Sequence, residues 1–222
     1  MIFKSKRQLI DKFNNDIRGK KIILSSTGPH AVGDELEVLL GKKIDNSRKC
    51  DLSEINTEIK TKFKKGKITL GCIKPSVPVK ELGERYGHGD GSFCTTVTYA
   101  GRNNLGLELG FNNNNLSVYR HGEVICKWDL GDIKDYLANK MPDVAYVKST
   151  RSGSSVVYDS MKIYKNIDVE SIRSLFEQDK LVVDFRLYDS QSKGKLIDKG
   201  TAFRLRSEQY FPDLFLEVGE EK

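Results

Sequence analysis

Asp51, Glu58 and Lys60 fall in the order D-x6-E-x-K within a chain of 222 residues. On a β-strand, side chains two apart leave the same face, so the Glu58 carboxylate and the Lys60 ammonium can meet a single ligand. Asp51, just ahead of that strand, can reach the same point. Two carboxylates on one divalent cation with a lysine beside it suit phosphodiester hydrolysis: the cation neutralises the scissile phosphate, while the lysine positions water and offsets developing negative charge. Taken alone, the pattern also describes a solvated strand carrying a surface ion pair. Glu37 adds a third acid, fourteen residues ahead of Asp51 and flanked by Gly33 and Gly41.

These side chains must be held by secondary structure, and the hydrophobic spacing supplies the elements. Leu9, Ile10, Phe13 and Ile17 recur at three- and four-residue intervals through 5–18, which predicts an amphipathic helix stopped near Gly19. Residues 21–25 make a short strand or connection. Val32, Leu36, Leu39 and Leu40 share a face of a second helix over 32–40 that carries Glu37 and ends at Gly41. From Asp51 the period becomes two: Ile55, Thr57, Ile59, Thr61 and Phe63 alternate with polar residues, as in a strand. A strand at 67–73, beyond the turn at Lys65-Gly66, predicts a hairpin with it. Residues 83–92 look like a glycine-rich loop. Strands follow at 93–99, 105–111, 115–120 and 123–128, with 112–115 as a turn. Next come a helix at 129–139, a strand at 144–148, a loop at 152–155 and a helix at 168–178 capped by Asp168. Strands at 180–188 and 201–205, joined by the basic segment 189–199, complete a mixed α+β chain without internal repeats.

Composition narrows the partners. With 38% hydrophobic and 31% charged residues and a mean hydropathy of -0.48, the 25.1 kDa chain has apolar mass for one core or two lobes. No run approaches the roughly 20 apolar residues of a membrane span. The basic start lacks an apolar stretch behind it, so no secretory signal is expected and the predicted location is the cytoplasm. A net charge of +6 and a pI near 9.0 favour a polyanionic partner. Cys50, Cys72, Cys94 and Cys126 show no C-x-x-C pair or zinc spacing and read as reduced structural thiols. His30, His88 and His121 are too scattered for a histidine-metal nuclease, and no phosphate-binding G-x-x-x-x-G-K-S/T loop is present.

The run Val32-Gly-Asp-Glu-Leu-Glu37-Val-Leu-Leu-Gly41, then Asp51, then Glu58-Ile-Lys60-Thr61, resembles the catalytic region of the MutH-like nucleases. Val183-Asp-Phe-Arg186-Leu and Lys199-Gly-Thr-Ala-Phe-Arg204-Leu are similar to the C-terminal part of the MvaI and BcnI restriction endonucleases, and Arg85-Tyr86-Gly87 falls between in family order. The interval from Asp51 to Glu58 is closer to MutH. Lys199 stands where MvaI-like enzymes tend to carry histidine, which bears on base specificity. The resemblance implies a PD-(D/E)XK nuclease core, a mixed central sheet flanked by helices, with two arms forming a DNA-binding cleft. It also implies one nuclease domain, with a catalytic lobe over about 1–82 and a DNA-recognition lobe over about 83–222.

On this resemblance Asp51 and Glu58, joined by the main-chain carbonyl of Ile59, hold the metal. Mg2+ is the expected ion, with Mn2+ as a substitute. Lys60 orients water or stabilises the transition state, and Glu37 supports it. The rival for Glu37 is a helix charge acting on the macrodipole, which suits Asp34 and Glu35 better. Lys62, Lys64, Lys65 and Lys67 form a cluster for phosphates or a solvated tip. Arg85 and Tyr86 brace the backbone or enter a groove. Asp184, Arg186 and Arg204 suit a G·C-rich target in the major groove, or Asp184 pairs with Arg186 within the chain. Lys195 and Lys199 contact base or phosphate.

The expected protein is a type II restriction endonuclease that cuts double-stranded DNA at a short G/C-rich, CC-x-GG-like site, leaving 5′-phosphate and 3′-hydroxyl ends. It acts as a monomer and is accompanied by a cognate DNA methyltransferase. The alternatives are a MutH-like nicking endonuclease of mismatch repair and a non-cleaving DNA-binding protein with the nuclease fold.

Overall fold

A computed structural model describes residues 2–42, 49–63, 66–190 and 195–219. The chain divides into two compact units: Met1–Lys65, Ala138–Ile167 and Phe215–Lys222 form the first, Gly66–Leu137 and Asp168–Leu214 the second. The first unit therefore takes in two later segments that a division near residue 82 would leave outside it. Among the described residues, no helix is long and apolar enough to cross a membrane.

In the first unit the N-terminal periodicity yields α1 (Lys6–Lys12), capped by the Ser5 side chain on the Gln8 amide, and a π-helical turn over Phe13–Ile17. Gly19, at φ +72, ends it. α2 (Ala31–Leu39) buries Ala31, Val32 and Leu36. Gly41, at φ +82, folds the chain back, with the Lys42 amide donating to the Glu37 carbonyl at 2.9 Å.

The sheet of this unit runs β1 (Lys21–Ile23), β9 (Ser155–Ile167), β8 (Asp143–Ser152) and β2 (Thr57–Lys62), with β13 (Phe215–Val218) also on β9. β2 and β8 are parallel, Glu58 opposite Val144, Lys60 opposite Tyr146 and Lys62 opposite Lys148. A parallel pair needs a crossover connection. Most of the second unit lies within this one.

Strand alternation sorts the side chains of β2. Ile59 joins Ala145, Val147, Met161 and Ile163 in a core with Leu9, Phe13, Val32, Leu36 and Leu40. Each such fully buried large side chain stabilises by about 1.5–3 kcal/mol. Glu58, Lys60 and Lys62 therefore leave the opposite face.

In the second unit, β10 (Leu181–Ser190) pairs with β4 (Phe93–Val97), β11 (Lys195–Asp198) and β12 (Ala202–Leu205). β3 (Ile68–Cys72) pairs with β12. A meander of β5 (Leu107–Asn112), β6 (Asn115–Arg120) and β7 (Glu123–Asp129) leads into α4 (Leu130–Lys140). α5 (Ile172–Glu177) follows a 3-10 turn whose Asp168 side chain accepts from the Glu170 and Ser171 amides. Trp128 packs on Phe185 and Phe203 at ring distances of 6.2 and 5.4 Å, and its indole N–H donates to the Ile73 carbonyl.

Three expectations change. The strands flanking Lys65-Gly66 do not form a hairpin: β2 pairs with β8 and β3 with β12. Residues 83–86 are not loop but the end of α3 (Val79–Tyr86). A Cβ on Gly83 would sit 2.5 Å from the Gly91 carbonyl oxygen, so this glycine serves a close approach within a helix rather than a turn. The basic segment after β10 is part strand, β11.

Candidate active site

Asp51 is brought to Glu58 by a tight fold in the chain. Leu52 and Thr57 exchange backbone hydrogen bonds at 2.8 and 3.1 Å around the 3-10 turn Ser53–Ile55, with Asn56 left-handed at φ +50. This turns Asp51 back along the start of β2. The Ile59 amide donates to Asp51 Oδ2 at 2.9 Å, and the Asp51 amide donates to Glu58 Oε2 at 3.2 Å. Glu58 thus holds the Asp51 amide and Asp51 the amide that follows Glu58, and the two acid side chains are 9% and 3% exposed.

Three lysines surround them. Lys60, two positions along β2, places Nζ 2.7 Å from Glu58 Oε1. Lys42 reaches Glu37 Oε2 at 3.0 Å and Asp51 Oδ1 at 2.6 Å, joining the helix acid to the strand set. Lys140, at the end of α4, lies 3.0 Å from Glu58 Oε2 and 3.9 Å from Asp51 Oδ1, and donates to the Lys49 carbonyl. Three carboxylates and three ammonium groups are therefore gathered and balanced in charge among the described residues. Sequence reasoning assembled Glu37, Asp51, Glu58 and Lys60 but missed Lys42 and Lys140. Lys42 follows Gly41 directly, and a glycine that reverses a helix end is the signal that could have returned it over Glu37. Nothing in the spacing points to Lys140.

Glu37 sits toward the C-terminal end of α2, where a negative charge opposes the helix dipole, so the macrodipole reading does not apply to it. Asp34, in the first turn, fits that reading, and Glu35 accepts from the Ser25 amide. Burial, and then the nearby Asp51 charge, push the Glu37 carboxyl above its ordinary range. Burial pushes Asp51 the same way, but hydrogen bonds from Lys42 and the Ile59 amide, with the Lys140 charge, hold it below. Burial opposes the charge on Lys42, and its hydrogen bonds to Asp51 and Glu37 outweigh that and raise its affinity for the proton. An acid that resists ionisation beside one that is held ionised is a common mark of a functional site.

The donor set suits a hard divalent cation. Among the described residues no three His, Cys, Asp or Glu side chains converge as a complete cage. Mg2+, however, takes one or two carboxylates and fills its remaining positions with water and substrate phosphate. Glu58 Oε2 and Asp51 Oδ1 both face the Lys140 ammonium, so one positive centre already meets both oxygens. Ile59 is fixed beside them through its amide.

The residues expected to meet DNA are placed in several settings. Lys62 ends β2, opposite Lys148. Lys64 and Lys65 lie outside the described residues. Lys67 belongs to the second unit and is bound to Asp184 and Thr96. Arg85 pairs with Glu81 at 2.6 Å on α3, and Tyr86 carries the Arg120 guanidinium 5.3 Å above its ring. Asp184 is buried and accepts from Lys67, Thr96 and Arg204 at 2.6 to 2.7 Å. Burial raises its proton affinity, but these hydrogen bonds more than reverse that and hold the carboxyl below its ordinary range. Its ion-pair partners are Lys67 and Arg204, not Arg186. Arg186 instead donates to the Gly200 and Lys199 carbonyls and to Cys72 Sγ, bracing the turn at Gly200, whose φ is +78. Lys199 lies 5.4 Å over the Tyr188 ring, and Lys195 is exposed at the start of β11. All four cysteines are free thiols.

A mixed sheet whose end strand carries the D…E-x-K set, with a further acid on a flanking helix, defines a restriction-endonuclease-like fold. The profile of the MvaI/BcnI restriction endonuclease family matches residues 10–215, and the chain belongs to that family. It is a type II site-specific deoxyribonuclease, of a kind that generally uses divalent metal ions. Among solved structures, the restriction endonuclease MvaI in complex with cognate DNA superposes with a TM-score of 0.80, at 23% identity and over 96% of both chains. MvaI in the absence of DNA gives 0.54 at 21% identity, over 99% of this chain and 98% of that one. At these identities the likeness speaks for the fold. No curated protein matches the sequence.

Proposed function

We propose that this enzyme makes Mg2+-dependent cuts in double-stranded DNA at a short G/C-rich, CC-x-GG-like site, with Glu37, Asp51, Glu58 and Lys60 as its catalytic set. The observation that carries the reading is the turning of Asp51 and Glu58 toward one positive centre, with Lys60 on the same strand face. Asp51, Glu58 and the Ile59 carbonyl would hold the cation, which when bound supplies Lewis-acid charge at the scissile phosphate. Lys60 Nζ holds the attacking water and offsets the negative charge that develops on the phosphoryl oxygens. Glu37, through Lys42, keeps Asp51 in register and lends a third acidic group to the site.

On the recognition side, Arg204 reads a guanine edge. Asp184 aims it and Lys67 by hydrogen bonds rather than accepting from a base itself. Arg186 fixes the turn that presents Lys199, with Lys195 beside it. Lys62, Arg85 and Tyr86 complete the contacts to the backbone. The enzyme works as a monomer in the cytoplasm, alongside a cognate DNA methyltransferase.

Digesting plasmid with Mg2+ and mapping the ends tests the reading. Linear products with a constant short sequence are expected, and Lys60→Ala should cleave undetectably while still binding DNA. Cutting retained by that variant removes Lys60 from the mechanism. Stable nicks at hemimethylated sites would replace restriction by a MutH-like repair role, which the Asp51 to Glu58 interval favours. Binding without any cutting in Mg2+ or Mn2+ would leave a non-cleaving DNA-binding protein.

A further inference from the structure

The sheet register of the first unit points to a surface beyond the catalytic set. Lys60 lies opposite Tyr146, and Tyr146 opposite Lys162. In the next rank, Lys62 lies opposite Lys148, and Lys148 opposite Ser160. Paired residues share a face, so Lys62, Lys148 and Lys162 extend the face that carries Lys60. Neighbouring strands are about 5 Å apart and same-face residues on one strand about 7 Å apart, so the lysines form a close-set positive patch. Lys148 is exposed and Lys62 and Lys162 partly so. The core face of the sheet, by contrast, is apolar.

Lys162 lies 5.8 Å over the Tyr164 ring, which keeps it on this face.

We propose that Lys148 and Lys162, continuing from Lys60 and Lys62, form a track for the phosphates of the DNA strand that runs away from the scissile bond. This rests on the DNA-cleaving reading above and adds the two residues that would carry sequence-independent affinity. Phosphate contacts of this kind release counterions and set the salt dependence of binding.

Binding of a short labelled random-sequence duplex is measured by fluorescence anisotropy in EDTA, between about 50 and 200 mM KCl. Lys148→Gln with Lys162→Gln is expected to flatten the plot of log K against log [KCl] by about 0.9 per lysine. The affinity deficit relative to wild type would then shrink about twelvefold from the lowest to the highest salt. The double arginine variant should keep the wild-type slope, and both variants should melt with the wild type. A wild-type slope that the glutamine pair leaves intact overturns the track alone. A wild-type chain that does not bind duplex at all overturns the nuclease reading with it.

Discussion

Replacing Lys140 by methionine tests the balance of charge at the site most directly. Its Nζ lies 3.0 Å from Glu58 Oε2 and 3.9 Å from Asp51 Oδ1, and its side chain is 14% exposed. With an effective dielectric constant of about 20, Coulomb's law gives about 5 kcal/mol for the nearer contact. Desolvation of the buried charges leaves a net loss of about 2–4 kcal/mol when one partner is removed. In a chain of this size each kcal/mol moves Tm by about 2–4 °C, so in EDTA the variant should melt about 5–12 °C below wild type. A divalent cation that takes both carboxylates meets no competing ammonium at this point in the variant. If about 1–2 kcal/mol of the lost interaction passes to the cation, its Kd falls about 5–30-fold. The rise in Tm on adding excess Ca2+ is then larger in the variant by about 2–8 °C. Thermal melting of both proteins in EDTA and in Ca2+ measures this. A variant that gains no more from Ca2+ than wild type refutes the idea that Lys140 occupies the cation's position.

Asp184→Asn should lower Tm by about 5–10 °C near neutral pH, since Lys67 and Arg204 lose their shared buried counter-charge, worth about 2–3 kcal/mol. Because the folded carboxyl holds its proton less tightly than the unfolded one, that stabilisation is present above the ordinary carboxylate range. It disappears as pH falls through the lower folded value, so wild type and variant should converge in acid melts below about pH 4. Glu37→Gln should act in the other direction on stability. The raised Glu37 carboxyl disfavours the fold above its folded value, so at pH 7–8 the variant should melt at or above wild type, with the gain gone below about pH 4. The same variant should cut plasmid more slowly, and a lower Tm at pH 8 would remove the like-charge argument.

The grouping of the proposed catalytic set was legible because strand alternation is a rigid rule: once 57–62 is a strand, Glu58 and Lys60 must share a face. The helix carrying Glu37 was equally accessible from its apolar spacing and its closing glycine. What the sequence concealed were long-range partners. Lys140 comes to Asp51 and Glu58 across more than eighty residues, and no local pattern encodes that approach. The supposed hairpin at Lys65-Gly66 failed because a turn dipeptide between two strands does not reveal that each pairs elsewhere. Gly83 resembled a loop residue, yet α3 uses it to admit the Gly91 carbonyl oxygen. Asp184, taken for a base reader, has its acceptors engaged by three side chains gathered from two strands and a loop.

The parallel pairing of β2 with β8 also decides when a newly made molecule can become dangerous. Every acid of the proposed catalytic set and its lysine fall within the first 60 residues, but the strand that anchors them spans 143–152. A distant pairing of this kind forms late, after the intervening chain has been made. On the proposed assignment, polypeptides ending before residue 143 carry the acids and the lysine without the strand that aligns them, and are expected to be inactive.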